Sequence, residues 1–221
     1  TKSFSINDDE NLSFNETLSK IQTEKENQSY IVDAQYDENE GSEQGYGVVN
    51  GYYFVDLGLP SGTKWATVNV GGDASEDYGG YFAWGETKPK EEYSWETYKF
   101  SINETFSKYN SEDGLVVIEA VDDAATINLG GNWRIPTREE WQELIDSCVW
   151  TSYNGYYKVT SKVNNRSIFL CEGGYRKSTG GLINALFYWS SSLCEENMSG
   201  AYGLYMSWWH NPDNVLEMVV G

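Results

Sequence analysis

Gly131-Asn132-Trp133-Arg134-Ile135-Pro136-Thr137-Arg138-Glu139-Glu140-Trp141 decides how the rest of the chain is read. Gly130 and Gly131 stop a helical pattern that runs over 121–129, because glycine adopts the left-handed conformation that closes a helix. Arg134-Ile135-Pro136 is extended. Thr137 then caps a second helix, and Glu140 three residues later completes a capping box. That helix spans 138–147, with Trp141, Leu144 and Ile145 at i, i+3 and i+4 as its buried stripe. The acidic Asp122 falls at the start of the first helix, where negative charge is favourable.

On the N-terminal side, residues 52–57 read as a strand, Pro60-Ser61-Gly62 as a turn, and 64–70 as a second, alternating strand. Tyr81-Phe82-Ala83-Trp84 reads as a short aromatic strand. Residues 86–114 read as a long surface excursion with isolated aromatics, Tyr93, Trp95, Tyr98 and Phe100. On the C-terminal side, strand-like segments at 156–160, 167–171, 187–190 and 201–208 are separated by turns rich in Gly, Asn and Ser. Residues 1–45 stand apart, with 11 acids, three lysines and no tryptophan. Such a segment buries little apolar area by itself. The expected organisation is an acidic spacer or peripheral segment over 1–45 and one folded domain over 46–221, of the α+β class.

Composition sets limits on function. The 221 residues include 34 acids and 15 bases, a net charge of −19, which argues against a nucleic-acid backbone or an anionic membrane surface as partner. Aromatics make up 15% of the chain, and disordered chains are aromatic-poor, so most of this one folds. No run of about 18 apolar residues is present to span a bilayer. His210 is the single histidine, which removes two-histidine metal sites and mechanisms needing two imidazoles. Cys148, Cys171 and Cys194 form no CxxC pair, so a structural zinc site is not expected. One disulfide plus one thiol, or three buried thiols, both remain open. The polar start, Thr1-Lys2-Ser3-Phe4, reads as that of a mature or trimmed chain.

The segment 131–141 resembles the G-x-W-R-[LI]-P-T-x-x-E-[WF] signature of the C-type-lectin-like fold in formylglycine-generating, or sulfatase-modifying, proteins. Further stretches narrow the likeness. They are Val55-Asp56-Leu57-Gly58-Leu59-Pro60-Ser61-Gly62-Thr63-Lys64-Trp65-Ala66-Thr67-Val68-Asn69-Val70-Gly71, Asp77-Tyr78-Gly79-Gly80-Tyr81-Phe82-Ala83-Trp84-Gly85-Glu86-Thr87, Asp122-Asp123-Ala124-Ala125 and Tyr188-Trp189-Ser190-Ser191-Ser192. In this order, over about residues 50–209, they resemble the FISUMP (major paralogous domain) family. The resemblance implies a C-type-lectin-like domain with two helices and small twisted antiparallel sheets. It also implies a secreted or surface lipoprotein of Bacteroidetes-type bacteria, hence an extracytoplasmic location, and no settled activity. Two departures stand out. Such domains usually continue into a Gly-x-Ser-Val-Arg-type strand after the segment matching 215–220, and Cys171-Glu172 stands where Pro-Ala is usual before Gly-Tyr-Arg. A member-specific Cys171–Cys194 disulfide is one consequence.

Formylglycine-generating enzymes use two nearby late cysteines bound to copper. Cys171 and Cys194 lie 23 residues apart and match no such motif, so the fold likeness does not carry the activity. Asn211-Pro212-Asp213 superficially resembles a sugar-binding calcium motif, but no Trp-Asn-Asp follows, and Asn-Pro-Asp is ordinary turn chemistry. A structural calcium at Asp73, Glu76 and Asp77, or at Asp122 and Asp123, would need 6–8 oxygens in all. Trp65, Trp84, Trp133 and Trp141 read as core. The late cluster Tyr202, Tyr205, Trp208, Trp209, His210, Asn211 and Asp213 is the expected ligand-binding surface. Adjacent residues of a strand face opposite sides, so one of Trp208 and Trp209 points outward unless a loop covers it.

The expected function is therefore a non-catalytic extracellular or surface binding or adhesion module for a glycan or protein, without cofactor or metal. A second reading is a retroelement-diversified variable ligand-binding protein, since Tyr, Ser, Asn, Asp and Trp accumulate over 189–214. A sulfatase-modifying-type enzyme is the third.

Overall fold

Four backbone carbonyls in a row explain much of the architecture. The carbonyl of Tyr81 accepts from the Tyr93 hydroxyl at 2.6 Å and that of Phe82 from the Trp189 indole at 3.1 Å. The carbonyl of Ala83 accepts from the Glu86 amide at 3.0 Å and that of Trp84 from the Tyr98 hydroxyl at 2.9 Å. Residues 81–84 are therefore not the strand their composition suggests. Side chains and a turn occupy the acceptors that a neighbouring strand would use. The computed structural model in which this is seen describes residues 45–102, 105–153, 155–177, 180–206 and 217–220. Apart from Gly45, the expected acidic spacer lies outside the described residues. From Gly47 onward the chain is one compact unit.

Three three-stranded sheets frame it. The first runs β1 (Tyr46–Val49), β2 (Tyr52–Asp56) and β3 (Lys64–Ala66) in that order. Asn50 and Gly51, at φ 52° and 84°, join β1 to β2, since a tight two-residue hairpin needs positive φ at both positions. The expected strand over 64–70 stops at Ala66. A two-stranded ladder, β4 (Ser101–Ile102) with β5 (Thr105–Phe106), follows. Then come α1 (Ala124–Leu129) and α2 (Arg138–Ser147), the two helices among the described residues. The second sheet is β6 (Cys148–Tyr153), β7 (Tyr156–Ser161) and β8 (Ser167–Cys171), antiparallel throughout. A short ladder of β9 (Tyr175–Arg176) with β10 (Leu182–Ile183) leads to the third sheet. This is β11 (Leu186–Leu193), β12 (Gly200–Met206) and β13 (Glu217–Val220), also antiparallel. The fold is α+β with small open sheets.

The capping box forms as its sequence demands. Thr137 Oγ1 accepts from the Glu140 amide at 3.3 Å, and Glu140 Oε2 accepts from the Thr137 amide at 2.8 Å. Such a cap is worth about 1 kcal/mol. On α2, Trp141 and Leu144 are buried and Ile145 half-buried. The first helix is shorter than 121–129. Its cap is Asp123, which accepts from the amides of Thr126 and Ile135, each at 2.9 Å. Asp122 has a different task from the one expected. It is 3% exposed and takes hydrogen bonds from Lys99, Lys108 and the Tyr109 hydroxyl. Burial alone would raise its carboxyl, but those donors outweigh burial and hold it below its ordinary value.

The extended link and α2 are bolted to β11. The Ser191 amide donates to Pro136 at 2.8 Å and the Arg138 amide to Ser192 Oγ at 3.1 Å. The indoles of Trp141 and Trp84 donate to the carbonyls of Trp189 and Ser190. The β11–β12 register shifts between Trp189 and Leu193, which frees those backbone groups for partners outside the sheet. Small serines suit this buried irregularity, because their hydroxyls satisfy what the ladder cannot. Ser190 Oγ, for example, donates to the Tyr202 carbonyl at 2.9 Å.

The excursion over 86–114 is no mere surface loop. Phe100 and Tyr109, 5% and 2% exposed, join Trp84, Ile118, Leu193 and Ala201 in one core cluster. A second cluster holds Ala125, Leu129 and Trp133 against β1–β3, and Ile135 packs on both.

Candidate functional site

Two copies of one tripeptide build one wall of a cavity. Gly79-Gly80-Tyr81 and Gly173-Gly174-Tyr175 meet where the Tyr81 hydroxyl donates to the Gly173 carbonyl at 2.6 Å. Gly174 sits at φ 72°, where a Cβ would come within 1.9 Å of the Ile183 carbonyl oxygen, so only glycine fits. At Gly173 an added Cβ would meet Tyr78 at 3.3 Å, which places the Tyr78 side chain directly over that backbone. The Arg176 guanidinium lies over the Tyr81 ring, 5.0 Å from its centroid. Burial raises the Tyr81 hydroxyl above its ordinary value, and Arg176 works against that shift.

A second wall comes from β11. Phe187 and Trp189, two residues apart on one face, touch edge to face at 4.8 Å, and Tyr175 packs on Phe187 at 5.4 Å. Gly203 on β12 makes room for the Phe187 ring, which would lie 3.1 Å from an added Cβ. The cavity has a volume of about 890 Å³ and continues among Trp65, Trp84, Trp133 and Trp141. That volume falls in the usual range of small-molecule sites, about 300–1,000 Å³. Well-packed interiors leave few voids larger than a water molecule. Tyr78 and Trp95 line the cavity too, yet are 56% and 42% exposed, so aromatic faces reach its mouth.

Polar groups in the lining follow a pattern. The indole N–H groups of Trp84, Trp133, Trp141 and Trp189 each donate to a backbone carbonyl. Trp65 is the exception. It is 4% exposed, and its indole nitrogen has no partner among the described residues. An unmet buried donor costs about 1–3 kcal/mol. Among the described residues, the lining includes Lys64, Lys90, Lys108, Arg134, Arg176 and Lys177, and no Asp or Glu.

The thiols of Cys148 and Cys171 suit no nucleophilic role. Cys148, Cys171 and Cys194 are all free and buried, so the Cys171–Cys194 disulfide considered from the sequence is not formed. Burial, reinforced by Glu76 and Asp77, pushes the Cys171 thiol up to about 11, and its Sγ donates to the Ser75 carbonyl at 3.0 Å. Burial likewise pushes Cys148 up to about 11. A thiol in that range stays protonated at neutral pH. The calcium candidates are otherwise engaged. Asp122 pairs with two ammonium groups, and Asp77 Oδ2 accepts from the amides of Asp73 and Ala74. No group of three or more His, Cys, Asp or Glu among the described residues is placed to hold a metal.

The residues expected to bind ligand fall in three places. Tyr202 and Tyr205 are both on β12, but three positions apart, so they face opposite sides of the sheet. Arg138 stacks on Tyr202 at 4.0 Å, whereas Tyr205 packs on Tyr175 at 6.3 Å. Neither lines the cavity, and Tyr205 adjoins it only through Tyr175. Trp208, Trp209, His210, Asn211 and Asp213 lie outside the described residues. Trp65, Trp84, Trp133 and Trp141 are buried as expected and also line the cavity. In the excursion, Tyr93 is tied to Tyr81, and Tyr98 is pushed up by burial and by Glu86. The sequence reading passes over Tyr78, Tyr81, Tyr175 and Arg176 as a site. Their signal is the repeated Gly-Gly-Tyr, which brings backbone and ring together. No protein-family model, curated protein or solved structure matches this chain.

Proposed function

We propose that the chain is a non-catalytic binding module of an extracytoplasmic, surface or secreted protein, built on a FISUMP-type, C-type-lectin-like fold, and that its ligand is a glycan. The observation that carries this is the cavity of about 890 Å³ walled by aromatic rings, with Tyr78 and Trp95 at its mouth. Ring faces stack on the apolar faces of sugars, and concave sites engulf small ligands, whereas protein partners usually need a broad surface of about 800 Å² per side. The buried thiols of Cys148 and Cys171, held protonated, support binding rather than copper–thiolate chemistry. The ordered motifs from Val55 to Ser192 support the family likeness.

A glycan array probed with the full chain tests the reading, with Tyr78→Ala and Trp95→Ala as paired variants. Both side chains are substantially exposed, so the variants fold. The expected result is binding to a defined set of glycans that either substitution weakens about tenfold or more. Binding that neither substitution changes, or no glycan bound at all, overturns it.

A further inference from the structure

Charge is distributed against the grain of this protein. The chain carries 34 acids and 15 bases, yet among the described residues six bases and no acid line the cavity. Four of the six are neutralised by carboxylates that do not themselves line it. Lys64 pairs with Asp56, Lys90 with Glu86, Lys108 with Glu119 and Asp122, and Arg134 with Glu140. Arg176 and Lys177 are left. Neither makes an ion pair with any described residue, both are exposed, and Arg176 lies over the Tyr81 ring.

We infer that the cavity takes an anionic sugar, a pyranose carrying a carboxylate or sulfate, whose charged group is held by Arg176 while its ring stacks on the aromatic wall. This rests on the proposed glycan-binding reading. A net charge of −19 repels an anion at long range, so a lining without acids among the described residues, edged by two cations outside any ion pair there, is the more favourable place for one. The planar guanidinium presents parallel N–H donors that match two oxygens of a carboxylate or sulfate. Tyr81, against which Arg176 stacks, restricts its orientation before any ligand arrives. A neutral sugar would leave the two cations unanswered.

Titration calorimetry of the full chain separates the possibilities. The probes are trigalacturonate, a sulfated carrageenan disaccharide without carboxylate and neutral maltotriose, each against the wild type, Arg176→Gln and Lys177→Gln. The expected result is binding of at least one acidic probe, at least tenfold tighter than maltotriose. Arg176→Gln should weaken it roughly 10- to 100-fold, the range of hydrogen bonds to a charged group, and leave maltotriose unchanged. The carboxylated and sulfated arms distinguish the two sources of charge. Maltotriose bound as well as or better than both acidic probes overturns the inference and leaves glycan binding standing. Acidic binding indifferent to Arg176→Gln also overturns it. No binding by any probe overturns the inference, and the array decides the broader reading separately.

Discussion

Replacing Glu140 by Gln tests the reasoning where sequence and structure are most tightly joined. The Glu140 carboxylate accepts from Arg134 through both guanidinium nitrogens, from Thr63 Oγ1 at 2.6 Å and from the Thr137 amide at 2.8 Å. Burial alone would raise its carboxyl, yet those donors, Arg134 first, bring it down to about 2 from an ordinary 4.5. A drop of that size corresponds to a ceiling of about 3 kcal/mol of stability. Solvent reduces the figure, because the Arg134 side chain is 50% exposed although Glu140 is only 12% exposed. A contribution of about 1–2 kcal/mol is the expected remainder. Glutamine keeps the reach of the capping box and loses the charge, so Glu140→Gln isolates the electrostatic part.

The sign of the pH dependence follows. A carboxyl whose folded value is depressed stabilises the protein above its unfolded value and loses that contribution as pH falls through its folded value. Urea unfolding followed by tryptophan fluorescence should therefore show the wild type about 1–2 kcal/mol more stable than Glu140→Gln at pH 7. The gap should hold down to about pH 4.5 and close between 4.5 and about 2. Relief of the protein's overall negative charge at low pH acts on both chains and cancels in the difference. Equal stability at pH 7, or a gap unchanged between pH 6 and pH 2.5, would refute the assignment.

Three further outcomes are expected. Asp122→Asn should lower stability by about 2 kcal/mol, because Lys99 and Lys108 lose a buried counter-charge, and an unchanged thermal midpoint would show that the excursion is not tethered there. Gly174→Ala should cost about 3 kcal/mol or more, since its Cβ would collide with the Ile183 carbonyl at a positive φ, and a variant melting like the wild type would refute that backbone geometry. Ellman's reagent should find three thiols after unfolding and react slowly with the native protein at pH 8, whereas one thiol after unfolding, or rapid native labelling, would contradict three buried free cysteines.

The helices were legible because their signals are local. Thr137, Glu140 and Gly130 act within a few residues of themselves, and α2 and its capping box appear where the motif places them. Among the strands not expected from the sequence, β1 and β6 do carry a local turn signal. β1 precedes Asn50-Gly51, and β6 precedes the Asn154-Gly155 pair that joins Tyr153 to Tyr156 in register, and Asn-Gly is the strongest short hairpin signal available. The strand expected at 81–84 failed for another reason. Its aromatic composition is right for a sheet, but its carbonyls are claimed by Tyr93 and Tyr98, 12 and 14 positions on, and by Trp189, 107 positions away, and local composition does not show that competition. The cavity was hidden for the same reason. It depends on which rings meet, as when Gly173 accepts from Tyr81 across 92 positions of sequence.

That dependence also determines which experiments can tell folding from binding. Trp84, Trp141 and Trp189 both line the cavity and hold β11 against the helix and the aromatic loop through their indole donors. Removing any of them opens a void and strands a carbonyl, so loss of binding in such a variant would report only a damaged scaffold. Tyr78, Trp95 and Arg176 differ in kind. They reach the cavity from exposed positions, and Arg176 leans only on the Tyr81 ring. A binding site whose deep wall is also the domain's core can vary its specificity only at such rim positions without losing its fold. The exposed cations and rings at the mouth are thus the places where ligand preference is expected to reside, and where substitution changes affinity while the unfolding midpoint stays put.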